Sequence, residues 1–429
     1  MQTNRTEIGD GINLCTVRTD KFKHAVFSVN FISKLNAENA AANTLLVSVL
    51  TKSNAKFTDM TSYNRELDRL YAASVDGSSK KLGEVHIASI NASSLQNKYI
   101  PDGEDVVMET VDFALDTIFC PSLVNGTFDP EIVENEKKNL IDAIKASVNN
   151  KDAYAVRRCG EVMCENERYA TGVYGTVEEV AKITPEALTE RYYQVISSAK
   201  LDIYFVGEYD EEAFAEHIKE RFEDVKRNLS IEQIITKVKK KTGGEVKEFV
   251  ERQNITQSKL SMGFRIGRSL ADRNFPAIVL LSEIYGGSAA SKLFMNVREK
   301  LSLCYYCSPV IDAVKGIMIV ASAIEAKNKE KAQSEIIAQL DEIKNGNITE
   351  DEFNFAKDSV INRYSEIEDD AGSIIAWYLQ RGLLGLVDSP EIASLAIKYL
   401  TLKQVIEASK EICLDTVYFL TGEEEKEVK

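Results

Sequence analysis

The sequence predicts an α+β fold in which an antiparallel sheet carries its helices on one face, and it predicts that unit twice, as two tandem copies. Three pairs of similar segments point to the repeat. LDIYFVG at 201–207 returns as LDTVYFLTG at 414–422, which sets Gly207 and Gly422 apart by 215 residues. DPEIVENEKKNLIDAI, beginning at Asp129, returns as TEDEFNFAKDSVINRY, beginning at Thr349, an offset of 220. RELDRLYAAS at 65–74 returns as REKLSLCYYCS at 298–308, an offset of 233. The matches keep the same order at similar offsets, as a duplicated domain requires.

Local patterns justify the elements in turn. HAVFSVNFI (24–32) and KLSMGFRIG (259–267) open the halves as β-prone runs, and VHIASINAS (85–93) and GIMIVASAI (316–324) return to strand after a long helical pattern. Asp129 and Thr349 are helix-capping residues, each followed by acids in the first turn and an amphipathic spacing. LDIYFVG and LDTVYFLTG read as buried strands that stop on glycine. The expected domains are 1–225 and 245–429. They are joined by a linker at 226–244 that is polar, contains Gly243 and Gly244, and carries the basic run KVKKK at 237–241 as a solvated face.

Bulk properties exclude several classes. A chain of 429 residues with 44% hydrophobic and 28% charged residues, but only 7 Pro and 22 Gly, suits about two folded domains. A net charge of -15 disfavours capture of nucleic acid or of an anionic membrane, since both need a clustered cationic surface. MQTNRTEIGDG has no basic segment leading into an apolar one, and no window approaches the ~18 apolar residues of a membrane span. The expected location is the cytoplasm, with EEEKEVK at 423–429 as a solvated tail.

Cys15, Cys120, Cys159, Cys164, Cys304, Cys307 and Cys413 form no framework, which fits free thiols in a reducing compartment. Cys304 and Cys307 have C-x-x-C spacing inside a β-like run. In a regular strand, residues three apart point to opposite faces and their Cα atoms stand ~10 Å apart, beyond disulfide reach. Both are expected as packing residues.

The second half reads FPAIVLLSEIYGGSAASKLFMNVREKLSLCYYCSPVIDAVKGIMIVASAI, then ITEDEFNFAKDSVINRY. It resembles the C-terminal half of M16 proteins of the pitrilysin, insulinase and mitochondrial processing peptidase type, through its Gly-Gly-Ser loop, its R-E-K-x-x-L-x-Y run and its Gly-led strand. FDPEIVENEKKNLIDAI in the first half is similar to a helix of the same family. The likeness covers nearly the whole chain in two copies. It implies paired α/β-roll domains, with two such chains closing around a chamber.

The resemblance also implies a zinc site, and here the sequence departs. Active members carry H-x-x-E-H on the first long helix, where residues one turn apart share a face and bind Zn²⁺, the Glu acts as general base, and a distal Glu completes the ligands. The corresponding stretch, AAANTLLVSVLTKSN at 40–54, places Thr44, Val47 and Ser48 at the triplet and has no His, Glu, Asp or Cys. The distal position falls on Ala143; Asp142 beside it points about 100° around the helix. His24, His86 and His217 are scattered and expected to be solvated or satisfied. G-x-S-x-G, Walker and Rossmann patterns are absent, and nothing in the sequence brings a Cys and a His together.

The family's Arg/Tyr pair, seven residues apart and associated with substrate binding at the zinc site opposite, is matched by Arg298 and Tyr305. Arg offers a planar fork of donors to peptide carbonyls, and a Tyr hydroxyl can stabilise an oxyanion. Without the resemblance, Arg298 reads as a solvated or salt-bridged helix end and Tyr305 as core. Gly286-Gly287-Ser288 reads as a turn ending a helix. The resemblance thus implies a non-catalytic subunit with no cofactor of its own, whose zinc would lie in an M16 homologue. With that partner it would form a cytoplasmic metallopeptidase acting on peptides. The alternatives are a scaffold or peptide-binding protein of M16 fold without a peptidase role, and a self-dimer.

Overall fold

The computed structural model describes residues 2–223, 225–227, 235–241 and 243–423. Two compact units share the chain. The first comprises residues 1–146, 171–235 and 370–379, and the second comprises 147–170, 236–369 and 380–429.

In the first unit, β1 (Gln2–Gly9), β2 (Ile12–Arg18), β3 (His24–Lys34), β4 (Ser74–Leu82), β5 (Val85–Leu95) and β8 (Lys200–Gly207) form one sheet in the order β1-β2-β8-β3-β5-β4. β6 (Leu123–Val124) and β7 (Thr127–Phe128) make a separate short ribbon. In the second unit, β9 (Lys247–Arg252), β10 (Ser258–Arg265), β11 (Cys304–Asp312), β12 (Ile317–Ile324) and β13 (Cys413–Thr421) pair in the order β11-β12-β10-β13-β9. Reversing that order gives β9-β13-β10-β12-β11, which repeats β2-β8-β3-β5-β4 strand for strand. The segments that signalled the repeat occupy equivalent places: LDIYFVG is β8 and LDTVYFLTG is β13.

Two particulars differ from the expected pattern. The strand that closes each copy inserts between two strands of opposite direction, so each sheet has one parallel pair, β2 with β8 and β9 with β13. The second sheet also carries a helix on each face. Leu260, Met262, Phe264, Met318 and Val320 pack on one side with Ile278, Leu281, Ile336 and Leu340 of the Phe275–Ser282 and Lys329–Lys344 helices. On the other side, Ala155 and Cys159 of the Lys151–Met163 helix meet Ile319, Tyr418 and Leu420. That helix precedes the expected boundary at 225, yet it completes the second unit's core.

A buried charge cluster holds the end of this segment. Glu167, whose side chain is 3% exposed, takes Arg265 Nη2 at 2.7 Å on one oxygen and Lys315 Nζ at 2.7 Å on the other. Lys239 approaches Glu167 at 3.3 Å, Lys240 approaches Glu411 at 3.4 Å and Lys241 approaches Asp415 at 3.9 Å. The KVKKK run keeps Lys237, Lys239 and Lys240 exposed, as expected, and carboxylates of the second unit pair with three of its lysines. Of the expected linker at 226–244, residues 228–234 and 242 lie outside the described residues, and the described residues 236–241, 243 and 244 belong to the second unit.

Burial alone would raise the Glu167 carboxyl, but the hydrogen bonds and charges of Arg265 and Lys315 outweigh it and hold it at about 2. Because that lies below the unfolded value of 4.5, the contribution is complete above pH 4.5 and is lost as pH falls toward about 2. Glu167→Ala removes the buried carboxylate that Arg265 and Lys315 share and is expected to cost about 3–5 kcal/mol in urea denaturation near neutral pH. The variant's stability should also depend less on pH between about 4.5 and 2 than that of the unmodified chain.

Candidate functional site

The four positions that the resemblance aligns with a zinc site lie on two helices of the first unit that pack together, Ala37–Leu50 and Pro130–Ala146. The first is capped by Asn36, which accepts from Glu38 N, and it is buried over most of its circumference as its apolar sequence demands. Thr44 is 5% exposed and donates its hydroxyl to the Val173 carbonyl at 2.9 Å. Ser48, half-buried, donates back to the Thr44 carbonyl at 3.3 Å. Val47 is 1% exposed. β4 crosses directly over this turn at Gly77, where a Cβ would stand 2.3 Å from the Val47 carbonyl oxygen. Ala143 is exposed and offers a methyl group.

These residues do not fit zinc. Thr44 and Ser48 spend their hydroxyl protons on backbone carbonyls, Val47 and Ala143 have no lone pair to give, and no imidazole, carboxylate or thiolate stands at any of the four positions. Among the described residues, no group of three or more His, Cys, Asp or Glu side chains is placed to hold a metal.

One histidine does stand close by. His86 on β5 is 1% exposed; its Nδ1 lies 3.3 Å from Asn43 Nδ2, and Asn43 in turn accepts from Arg191 Nε at 2.8 Å. His86 Nε2 is buried without a hydrogen-bond partner. The expectation of solvated or satisfied histidines therefore holds for His24, exposed on β3, and for His217, whose Nε2 is 2.8 Å from Asp112 Oδ1, but not for His86. Nothing in the alternation of VHIASINAS singled it out.

Arg298 and Tyr305 lie in the second unit. Arg298 sits on a wide helical turn with i→i+5 bonding, Leu293–Lys300, and its guanidinium carbon rests 4.7 Å above the centre of the Phe294 ring. Its Nε is 3.5 Å from Glu299 Oε1, an exposed pair of little energetic weight. Wide turns of this kind are rare and are frequent at functional sites. A second one, Glu283–Gly287, ends at the Gly-Gly-Ser sequence. There a Cβ on Gly287 would fall 2.4 Å from Glu283 Oε2, a buried carboxylate held by Ser359 and Arg363. The two glycines serve close packing at a helix end, as the sequence implied.

From Lys300 the chain turns through Ser302, at φ 49°, into β11. Tyr305 is not core: it is 70% exposed. The cause is a β-bulge. Cys304 pairs with Ile324 and Cys307 with Ser322, so three steps on β11 match two on β12. Tyr306 turns to the other side and donates its hydroxyl to Asp152 Oδ1, which also binds Lys259 at 2.8 Å. The bulge overturns the expectation that the two cysteines face opposite ways. Ile324 and Ser322 share a face of β12, and accordingly both Cys307 and Cys304 pack on the same core cluster.

A duplicated α+β roll with no metal-ligand cluster among the described residues is the class that this fold and site define. The comparisons agree. Residues 182–360 match the peptidase M16 inactive domain. The chain is 32% identical over 417 residues to the "Probable inactive metalloprotease YmfF" of Bacillus subtilis, with 96% of each chain covered. A conserved protein of Enterococcus faecalis superposes with a TM-score of 0.90 at 28% identity, over 99% of this chain and 100% of that one. The peptidase M16 inactive domain of Pseudomonas fluorescens shares the fold with a TM-score of 0.79 at 15% identity, covering 99% of each chain. The chain belongs to the M16 peptidase family, among its non-catalytic homologues.

Burial, together with the nearby Arg191 cation, lowers the His86 imidazole to about 4. The unfolded chain, titrating near 6.5, therefore takes up the proton first, so the stability tied to neutral His86 is present above pH 6.5 and drains away as pH falls toward 4. Urea midpoints measured across that window are expected to fall more steeply for the unmodified chain than for His86→Leu.

Proposed function

We propose that the chain is the non-catalytic subunit of a cytoplasmic M16-type peptidase and pairs with a separate zinc-bearing homologue. The homologue supplies H-x-x-E-H and the distal Glu. This chain supplies half of the chamber wall, together with Arg298 and Tyr305 to address the peptide at the partner's metal. The observation that carries the reading is Tyr305, a large aromatic side chain 70% exposed at a bulge, seven residues from an Arg that rests on a ring and has only a weak exposed partner. Exposure leaves both side chains available to a ligand, and the bulge and the Phe294 ring limit the conformations they lose on binding.

A second copy of this chain would not serve as the partner, because it would bring the same Thr44, Val47, Ser48 and Ala143. No helix among the described residues is long and apolar enough to cross a membrane, and all seven cysteines are free thiols, which supports the cytoplasmic placement.

The experiment is to purify the chain, mix it with its zinc-bearing homologue and follow cleavage of short unfolded peptides. Peptidase activity is expected only in the mixture. Arg298→Ala and Tyr305→Phe should each lower kcat/KM, toward the ~10²-fold loss typical of an oxyanion donor, while leaving the assembly intact by size exclusion. Unchanged rates in both variants would overturn the assigned role and favour a scaffold.

A further inference from the structure

We propose that Cys304 and Cys307 form a redox-active dithiol, a modification site that low-molecular-weight disulfides oxidise to an intramolecular disulfide and that thiols reduce again. The inference stands on geometry and does not depend on any partner. In a regular strand, C-x-x-C spacing separates the Cα atoms by ~10 Å and sends the sulfurs to opposite faces. The bulge removes one residue from that count. Cys304 and Cys307 span the two residues from Ile324 to Ser322, roughly 6.6–6.8 Å, which falls at the upper end of the Cα separation a disulfide tolerates.

Both side chains then pack on the same apolar cluster. The two differ in character. Cys304 is partly exposed, and its thiol is lowered by the hydrogen bond from Cys307 and by the charge of Arg298, against the effect of burial. Cys307 is 6% exposed, and its thiol is raised by its bond to Cys304 and by burial. That is the division of labour between an attacking and a resolving cysteine. Cys15, Cys159 and Cys164 are buried, and burial pushes each of them up, so they are poor nucleophiles.

The chemistry balances with oxidised glutathione. The Cys304 thiolate, having released its proton to solvent, attacks one glutathione sulfur. A Cys304–glutathione bond forms, the glutathione S–S bond breaks, and the expelled thiolate takes up a proton. Cys307 then loses its proton and attacks Cys304 Sγ, expelling the second glutathione as a thiolate that is protonated in turn. Two protein thiols are oxidised, and one small disulfide is reduced to two thiols. The bond closes a small ring around Tyr305 and Tyr306, and its exposed side at Cys304 leaves it open to reduction by thiols.

The test exposes the full chain to oxidised glutathione, alkylates the remaining thiols in denaturant and maps the peptides by mass spectrometry. The expected product is a Cys304–Cys307 disulfide that excess reduced glutathione reopens. Cys307→Ser should instead trap glutathione on Cys304, and Cys304→Ser should leave Cys307 unmodified while exposed Cys120 reacts as it does in the unmodified chain. A stable glutathione adduct on Cys304 of the unmodified chain, with Cys307 still alkylatable, would overturn the proposal. So would two free thiols at 304 and 307 under conditions that modify Cys120.

Discussion

Glu167 is a carboxylate buried between Arg265 of β10 and Lys315 of the β11–β12 turn, and the completion of the second unit depends on it. It terminates the segment at 147–170, which carries the Lys151–Met163 helix onto a sheet face that would otherwise present Ile319, Tyr418 and Leu420 to water. Taking three charges out of solvent is expensive, and both Glu167 oxygens are paired in return, although Arg265 Nη1 lies buried without a hydrogen-bond partner. Apolar packing makes the helix adhere; the cluster fixes which residues it adheres to.

Hydrogen bonding also decides what the positions aligned with a metal site can do. A zinc centre needs lone pairs aimed at a shared point, and side chains kept in hand for the metal cannot also be spent on the backbone. Here the Thr44 and Ser48 hydroxyls are oriented by donating to the Val173 and Thr44 carbonyls, and Val47 is packed beneath the Gly77 crossing. The helix has become an ordinary buried helix. His86, behind it, keeps one buried nitrogen without a hydrogen-bond partner, a cost that the first unit also bears at Asn54, Gln96 and Thr110.

Much of this was legible in the sequence. The repeat was visible because buried strands and capped helices are constrained in residue type, so β8 and β13, or the helices after Asp129 and Thr349, keep similar residues in similar order. The lack of His, Glu, Asp and Cys at 40–54 could be read because metal ligands come from so few residue types. What escaped was everything set by long-range placement or by a single extra residue. The assignment of 147–170 to the second unit depends on ion pairs with Arg265 and Lys315, about a hundred residues or more further on, which have no local signature. The bulge between Cys304 and Cys307 inverts a strand argument that assumed perfect alternation, and with it the orientation of two cysteines and the exposure of Tyr305.

The central claim is that this chain cannot assemble a catalytic zinc site by itself. The most direct measurement is its metal content and peptidase activity when purified alone, after equilibration with Zn²⁺ and removal of unbound ion. The account predicts no stoichiometric zinc and no cleavage. One tightly held zinc per chain with peptide hydrolysis by the isolated protein would contradict it.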